Sequence, residues 1–123
     1  MTRINLVDPS ELSQQHLVAE KHEITRVFTL ARKAQHEMHK KKIPDKFTLG
    51  TGHVLFLYDK LAFVSDRYYA LCDEMERRGF NCTRIPKEDL HAGIGKHMFF
   101  GYKPTEEAIR ISKERIALRS VKL

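Results

Sequence analysis

No apolar run in this chain of 123 residues approaches the roughly 18 that a membrane-spanning helix requires, which excludes a transmembrane protein. The opening MTRINLVDPSEL has no apolar stretch of the kind a secretory signal needs, so the chain is expected to be cytoplasmic rather than secreted. Cysteine is scarce: Cys72 and Cys82 are the only two, too few for a disulfide framework, and both are expected as reduced thiols. There is no internal repeat and no low-complexity tract, which argues against a solenoid or a disordered linker. One domain's length of chain remains, with 41% hydrophobic and 31% charged residues, an ordinary globular mixture able to bury a core.

What is plentiful is positive charge. Lys and Arg number 22 against 16 Asp and Glu, a net +6, and the isoelectric point is near 9.4. A basic domain of this size points to a polyanionic partner, nucleic acid first.

The hydrophobic pattern is helical throughout. Asp8-Pro9-Ser10-Glu11 reads as an N-cap, a first-turn proline and a capping-box glutamate, so a first helix is expected from about Pro9 into the high thirties. Leu17, Ile24, Val27, Phe28, Ala31 and Met38 give its buried face. Pro44 ends a basic loop, His39–Lys42, and a second helix is expected over roughly Val54–Arg78. Its core stripe is Leu57, Leu61, Val64, Tyr68, Leu71 and Met75, and Gly79 suits the left-handed position after its end. The segment 81–103 reads as loop with a short helical turn. A third helix is expected from Pro104–Glu107 to about Arg119. With no convincing alternating run, the expected fold is all-α: a single compact domain, residues 1–123, of three main helices with an N-terminal arm packed between them.

On the first helix, at about 100° per residue, Gln15, His16, Ala19, His22, Glu23 and Arg26 share a sector of roughly 120° opposite the apolar face. A solvated helix face explains most such sectors. This one instead combines a single carboxylate with Arg and His, and it lies near the arm Met1-Thr2-Arg3. Initiator methionine is removed when a small residue follows it, so the mature chain is expected to start at Thr2. An α-amine has a pKa of about 7.7–8.0, so roughly a tenth is neutral at pH 7, against less than a thousandth of a lysine. Such an amine can attack a carbonyl-like carbon and form a Schiff base, and Arg3 beside Thr2 would lower its pKa further.

The segment MTRINLVDPSELSQQHLVAEKHEITRVF and the later LGTGHVLFLYDK, followed by a helix closing in RRGFN, resemble the pyrimidine-dimer DNA glycosylases of the phage endonuclease V type. The resemblance runs from Thr2 to about Arg119 and is weak over Thr83–Phe100. It implies a bifunctional base-excision enzyme with no metal and no cofactor, a DNA glycosylase and apurinic/apyrimidinic lyase acting on double-stranded DNA that contains pyrimidine dimers or abasic sites, and expected to be a monomer. The Thr2 amine would attack the sugar, Glu23 would be the catalytic carboxylate, and His16 would share or supply the base for β-elimination. Arg3, Gln15, His22, Arg26, Arg115, Arg119 and Lys122 are the expected DNA contacts, the last three forming a stripe at i, i+4 and i+7. An enzyme reaching a sugar inside a duplex is expected to kink it and extrude a nucleotide, in this family the one opposite the lesion.

The chain also departs from the family. His22 stands where the phage enzyme has Arg, which would weaken phosphate binding at neutral pH and make it pH-sensitive, and Lys21 stands where it has Tyr. The chain reads to Leu123 without the family's aromatic-rich tail and contains no tryptophan, which bears on lesion preference more than on Schiff-base chemistry. Against catalysis stands a non-catalytic basic helical DNA-binding module, and a bland role for Glu23 is an ion pair with Arg3 or Arg26. A ribosome-associated or RNA-binding protein has only charge in its favour.

Other motifs are weaker. Gly50-Thr51-Gly52-His53 lacks the Gly-Lys-Ser/Thr of a phosphate loop and reads as a turn that lets backbone approach a neighbour. His36-Glu37-Met38-His39 has the wrong spacing for a zinc motif. Cys72 is expected buried and inert, Cys82 exposed.

Overall fold

A computed structural model describes residues 4–40, 42–49 and 52–121, the last three without their side chains. Five helices follow in order: α1 (Gln14–Ala34), α2 (His53–Leu57), α3 (Leu61–Arg77), α4 (Lys87–Leu90) and α5 (Glu106–Val121). Among the described residues there is no strand beyond an isolated bridge between Lys60 and Phe99, so the fold is all-α, with α1, α3 and α5 as its three main helices. No described helix is long and apolar enough to cross a membrane.

The first helix begins later than expected. Asp8 caps, its carboxylate accepting from the Ser10 N–H at 2.9 Å, but what it caps is a single 3₁₀ turn, Pro9–Glu11. The chain extends again at Leu12, and Ser13 starts α1 by accepting the His16 N–H at 3.2 Å. Local hydrogen bonding by Ser13 outcompetes continuation of the first turn. At the other end α1 gives way to 3₁₀ turns over Gln35–Lys40, with Glu37 off helical geometry. That end is tied down from outside. Arg32 donates to the Ala92 and Leu90 carbonyls, and Gln35 donates to the Gly93 carbonyl and accepts from the Gly95 N–H.

The expected second helix is two helices. Its apolar period runs through Leu57, Leu61 and Val64, all buried, but the backbone breaks at Tyr58–Lys60. There Phe99 pairs with Lys60, and the Phe100 N–H donates to the Asp59 carbonyl at 3.1 Å. A long-range backbone pairing thus interrupts a helix that side-chain spacing alone would continue. The C-terminus of α3 is as expected. Gly79 has φ 86°, Phe80 N–H reaches the Met75 carbonyl at 2.9 Å, and Gly79 N–H reaches that of Glu76 at 3.0 Å, a Schellman closure.

α1 packs along α3, and the core lies between them, with Leu17, Ile24, Val27 and Phe28 facing Val64, Tyr68 and Leu71. Truncating one such side chain, for example Ile24→Ala, costs about 2–5 kcal/mol. Met38 is half-buried at the margin of this core. Phe56, Phe63 and Tyr102 meet edge-to-face at 5.2–5.3 Å and fasten the loop before α5 onto α2 and α3.

Candidate functional site

Residues 4–7 of the N-terminal arm are not helical, and backbone outside a helix or sheet must find partners for its N–H and C=O groups when buried. Residues Ile4–Val7 are all buried; three helices supply partners for their backbone and a fourth holds the Asn5 side chain. The Ile4 N–H donates to His53 Nε2 at 2.8 Å, at the start of α2. The Asn5 amide donates to Glu20 Oε1 at 2.8 Å on α1. The Leu6 N–H donates to Ser112 Oγ at 3.0 Å on α5, and Arg67 on α3 donates to the Val7 carbonyl at 2.8 Å. The arm is therefore packed between the main helices, as expected.

The buried ion pair beneath the arm is Glu20 with Arg67, joined by Nε to Oε2 and by Nη2 to Oε1 at 3.1 Å. Both side chains are almost fully buried. With Asn5 and the Val7 carbonyl they form a satisfied polar cluster, the condition under which a buried pair is tolerated. The sequence suggests an ion pair at Glu23 and does not by itself name this one. The signal was present: on the helical wheel Glu20 lies beside Val27 and Ala31, and Arg67 lies within the Val64–Leu71 stripe. Opposite charges set into two facing apolar stripes are positioned to meet.

Glu23 lies three residues after Glu20, on the same side of α1 and one step outward, half-buried. His16, also half-buried, is one turn before Glu20, with Nδ1 3.0 Å from Ser13 Oγ. Gln15, His22 and Arg26 are exposed along the adjoining face. The residues of the sector inferred from spacing lie along one side of α1, grading from half-buried Glu23 and His16 to exposed Gln15, His22 and Arg26. Lys21 donates to the Thr83 carbonyl at 3.0 Å and so binds α1 to the following loop.

Arg115 is half-buried on α5. Arg119 is in the same helix one turn on, its side chain outside the described residues, as are Thr2, Arg3 and Lys122 entirely. A cleft of about 320 Å³ opens between Phe47, Tyr102 and the start of α5, and among the described residues none of the expected site residues lines it. Among the described residues no group of three or more His, Cys, Asp or Glu is arranged to hold a metal ion.

The glycine turn before α2 does bring backbone close to a neighbour. Gly52 has φ 89°, and a Cβ there would sit 3.4 Å from Pro44. Cys72 is buried, and burial, with Cys82 close by, pushes its thiol up to about 11, consistent with an inert core cysteine. Cys82 is half-buried rather than exposed, because the loop after α3 folds back on Tyr68, whose hydroxyl accepts from the Ile85 N–H at 3.1 Å. A family model described as pyrimidine dimer DNA glycosylase matches residues 1–87, which includes the arm, α1, α2 and α3.

Proposed function

The chain belongs to the pyrimidine dimer DNA glycosylase family and so serves DNA repair, and we propose that it cuts damaged DNA through the α-amine of Thr2, with Glu23 as its catalytic carboxylate. The amine's lone pair attacks C1′ of the deoxyribose under the damaged pyrimidine. The glycosidic bond breaks, the base leaves with the bonding electrons and takes a proton, and loss of the ring oxygen from C1′ leaves an imine. A base then removes a proton from C2′, and the 3′ phosphate departs by β-elimination. Glu23 stabilises the positive charge that builds on the sugar, and it or His16 takes the C2′ proton. Arg3, Gln15, His22, Arg26, Arg115, Arg119 and Lys122 hold the phosphates of dimer-containing or abasic duplex DNA.

The observation that carries this reading is the anchoring of the arm. Asn5 is hydrogen-bonded to Glu20, one helical turn from Glu23, and Ile4 is held by His53. One residue, Arg3, separates Ile4 from Thr2, two steps or at most about 7 Å of chain. A fixed Ile4 limits the amine to within that reach, and in this reading it meets the α1 edge that carries Glu23, the proximity a nucleophile and its helper need.

Glu23→Gln tests the assignment. Base release should fall by about 10²–10³-fold or more, the scale of losing a preorganised electrostatic contact, while affinity for dimer-containing DNA stays near wild type. Base release at the wild-type rate by a folded Glu23→Gln enzyme would remove Glu23 from catalysis.

A further inference from the structure

Resting on the Thr2 reading above, we propose that His53 is a positioning residue for the reaction: its ring sets the arm's backbone, and through it the attacking amine. The side chain is 3% exposed and belongs to the first residue of α2. Nε2 accepts the Ile4 N–H at 2.8 Å, and Nδ1 lies 2.8 Å from the Thr48 carbonyl. A carbonyl can only accept, so Nδ1 carries the proton and Nε2 offers its lone pair to Ile4. The two bonds define one neutral tautomer and one ring orientation. The Phe47 ring, edge-on at 5.2 Å, closes one side of the imidazole.

This is the described hydrogen bond nearest along the chain to Thr2. Asn5, Leu6 and Val7 are each tied to a different helix, but every one of those ties lies further from the terminus. Ile4 itself is fully buried, so its side chain sets depth in the core while the bond to His53 fixes the direction of its backbone N–H. A neutral acceptor suits this place better than a cation, since a protonated ring would present a second donor to the Ile4 N–H. The sequence showed His53 only as the residue after a glycine turn.

Two conservative variants separate positioning from packing, because each retains one of the two bonds. In His53→Gln the amide oxygen reaches the place of Nε2 and keeps an acceptor for Ile4. In His53→Asn the amide sits near the place of Nδ1, keeping the Thr48 bond and losing the Ile4 bond. The measurement is the single-turnover rate of borohydride-trapped adduct on duplex DNA with one abasic site, alongside the Kd for that DNA and the melting temperature. The expected result is a rate within about threefold of wild type for Gln and at least about tenfold slower for Asn, with Kd unchanged in both, since small displacements of a nucleophile cost this much. Equal rates for the two folded variants, or a loss confined to Kd or to melting temperature, would overturn the positioning role while leaving the Thr2 chemistry standing. Absence of any trapped adduct with the wild-type protein, its N-terminus verified as Thr2, would overturn that chemistry and this inference together.

Discussion

Two cationic regions of this molecule use their charge in opposite ways. Around the end of α3, the arginines are tied to carboxylates: Arg77 and Arg78 to Glu74 at 2.5 and 2.6 Å, Arg84 to Asp73 and Glu76 at 2.5 and 2.6 Å. Arg78 also donates to the Pro9 and Leu12 carbonyls, so this cluster fastens the first 3₁₀ turn to α3. Along the outer face of α1, Arg26 and Lys33 are exposed and make no ion pair among the described residues. Charge neutralised within the fold supports the fold. Charge left open beside Glu23 is available to a phosphate backbone, and the net +6 of the chain is therefore unevenly accessible.

The largest contrast is expected in stability. Glu20→Ala removes the buried partner of Arg67 and should cost about 3–5 kcal/mol in a denaturant melt, whereas Arg26→Ala should change stability by no more than about 0.5 kcal/mol. Comparable costs for the two would erase the distinction between inward and outward charge.

DNA binding should show the reverse ordering. Arg26→Ala should reduce the slope of log K against log salt by about one, and Arg84→Ala should leave it unchanged. A reduced slope for Arg84→Ala would place the α3 end in the DNA footprint.

These differences show how far the sequence could be read. Helical period located α1 and α3 and the core residues Leu57, Leu61, Val64, Tyr68, Leu71 and Met75 because burial at one face repeats in the chain, and the start signals at Pro104–Glu107 located α5. It did not find the break at Tyr58–Lys60, which depends on a pairing with Phe99, far along the chain. Glu23, His16 and Arg26 were legible as a mixed sector. Glu20 was legible only in part: it falls within the apolar face of α1, between Val27 and Ala31 on the wheel, but what it meets there is set by Arg67 on another helix. His53 escaped for a similar reason: its role is defined by Ile4 and Thr48, two backbone groups that carry no sequence signature.

A smaller effect concerns acid. Hydrogen bonds from Arg77 and then Arg78 hold the Glu74 carboxyl down at about 2, from an ordinary 4.5. A depressed folded-state pKa gives stability that is fully present above about 4.5 and is lost as pH falls from there to about 2. The melting temperature of the wild type should therefore decline more steeply through that window than that of Glu74→Gln. Parallel curves would mean that these arginines contribute nothing through Glu74.

The most direct measurement is the site of the covalent bond. Protein with Met1 removed is incubated with abasic duplex DNA, reduced with borohydride, digested and mapped by mass spectrometry. The expected mass increment is on the N-terminal peptide at the Thr2 α-amine, and it disappears when Met1 is retained. An increment on a lysine side chain, or an adduct that forms equally well with Met1 in place, would contradict the N-terminal mechanism.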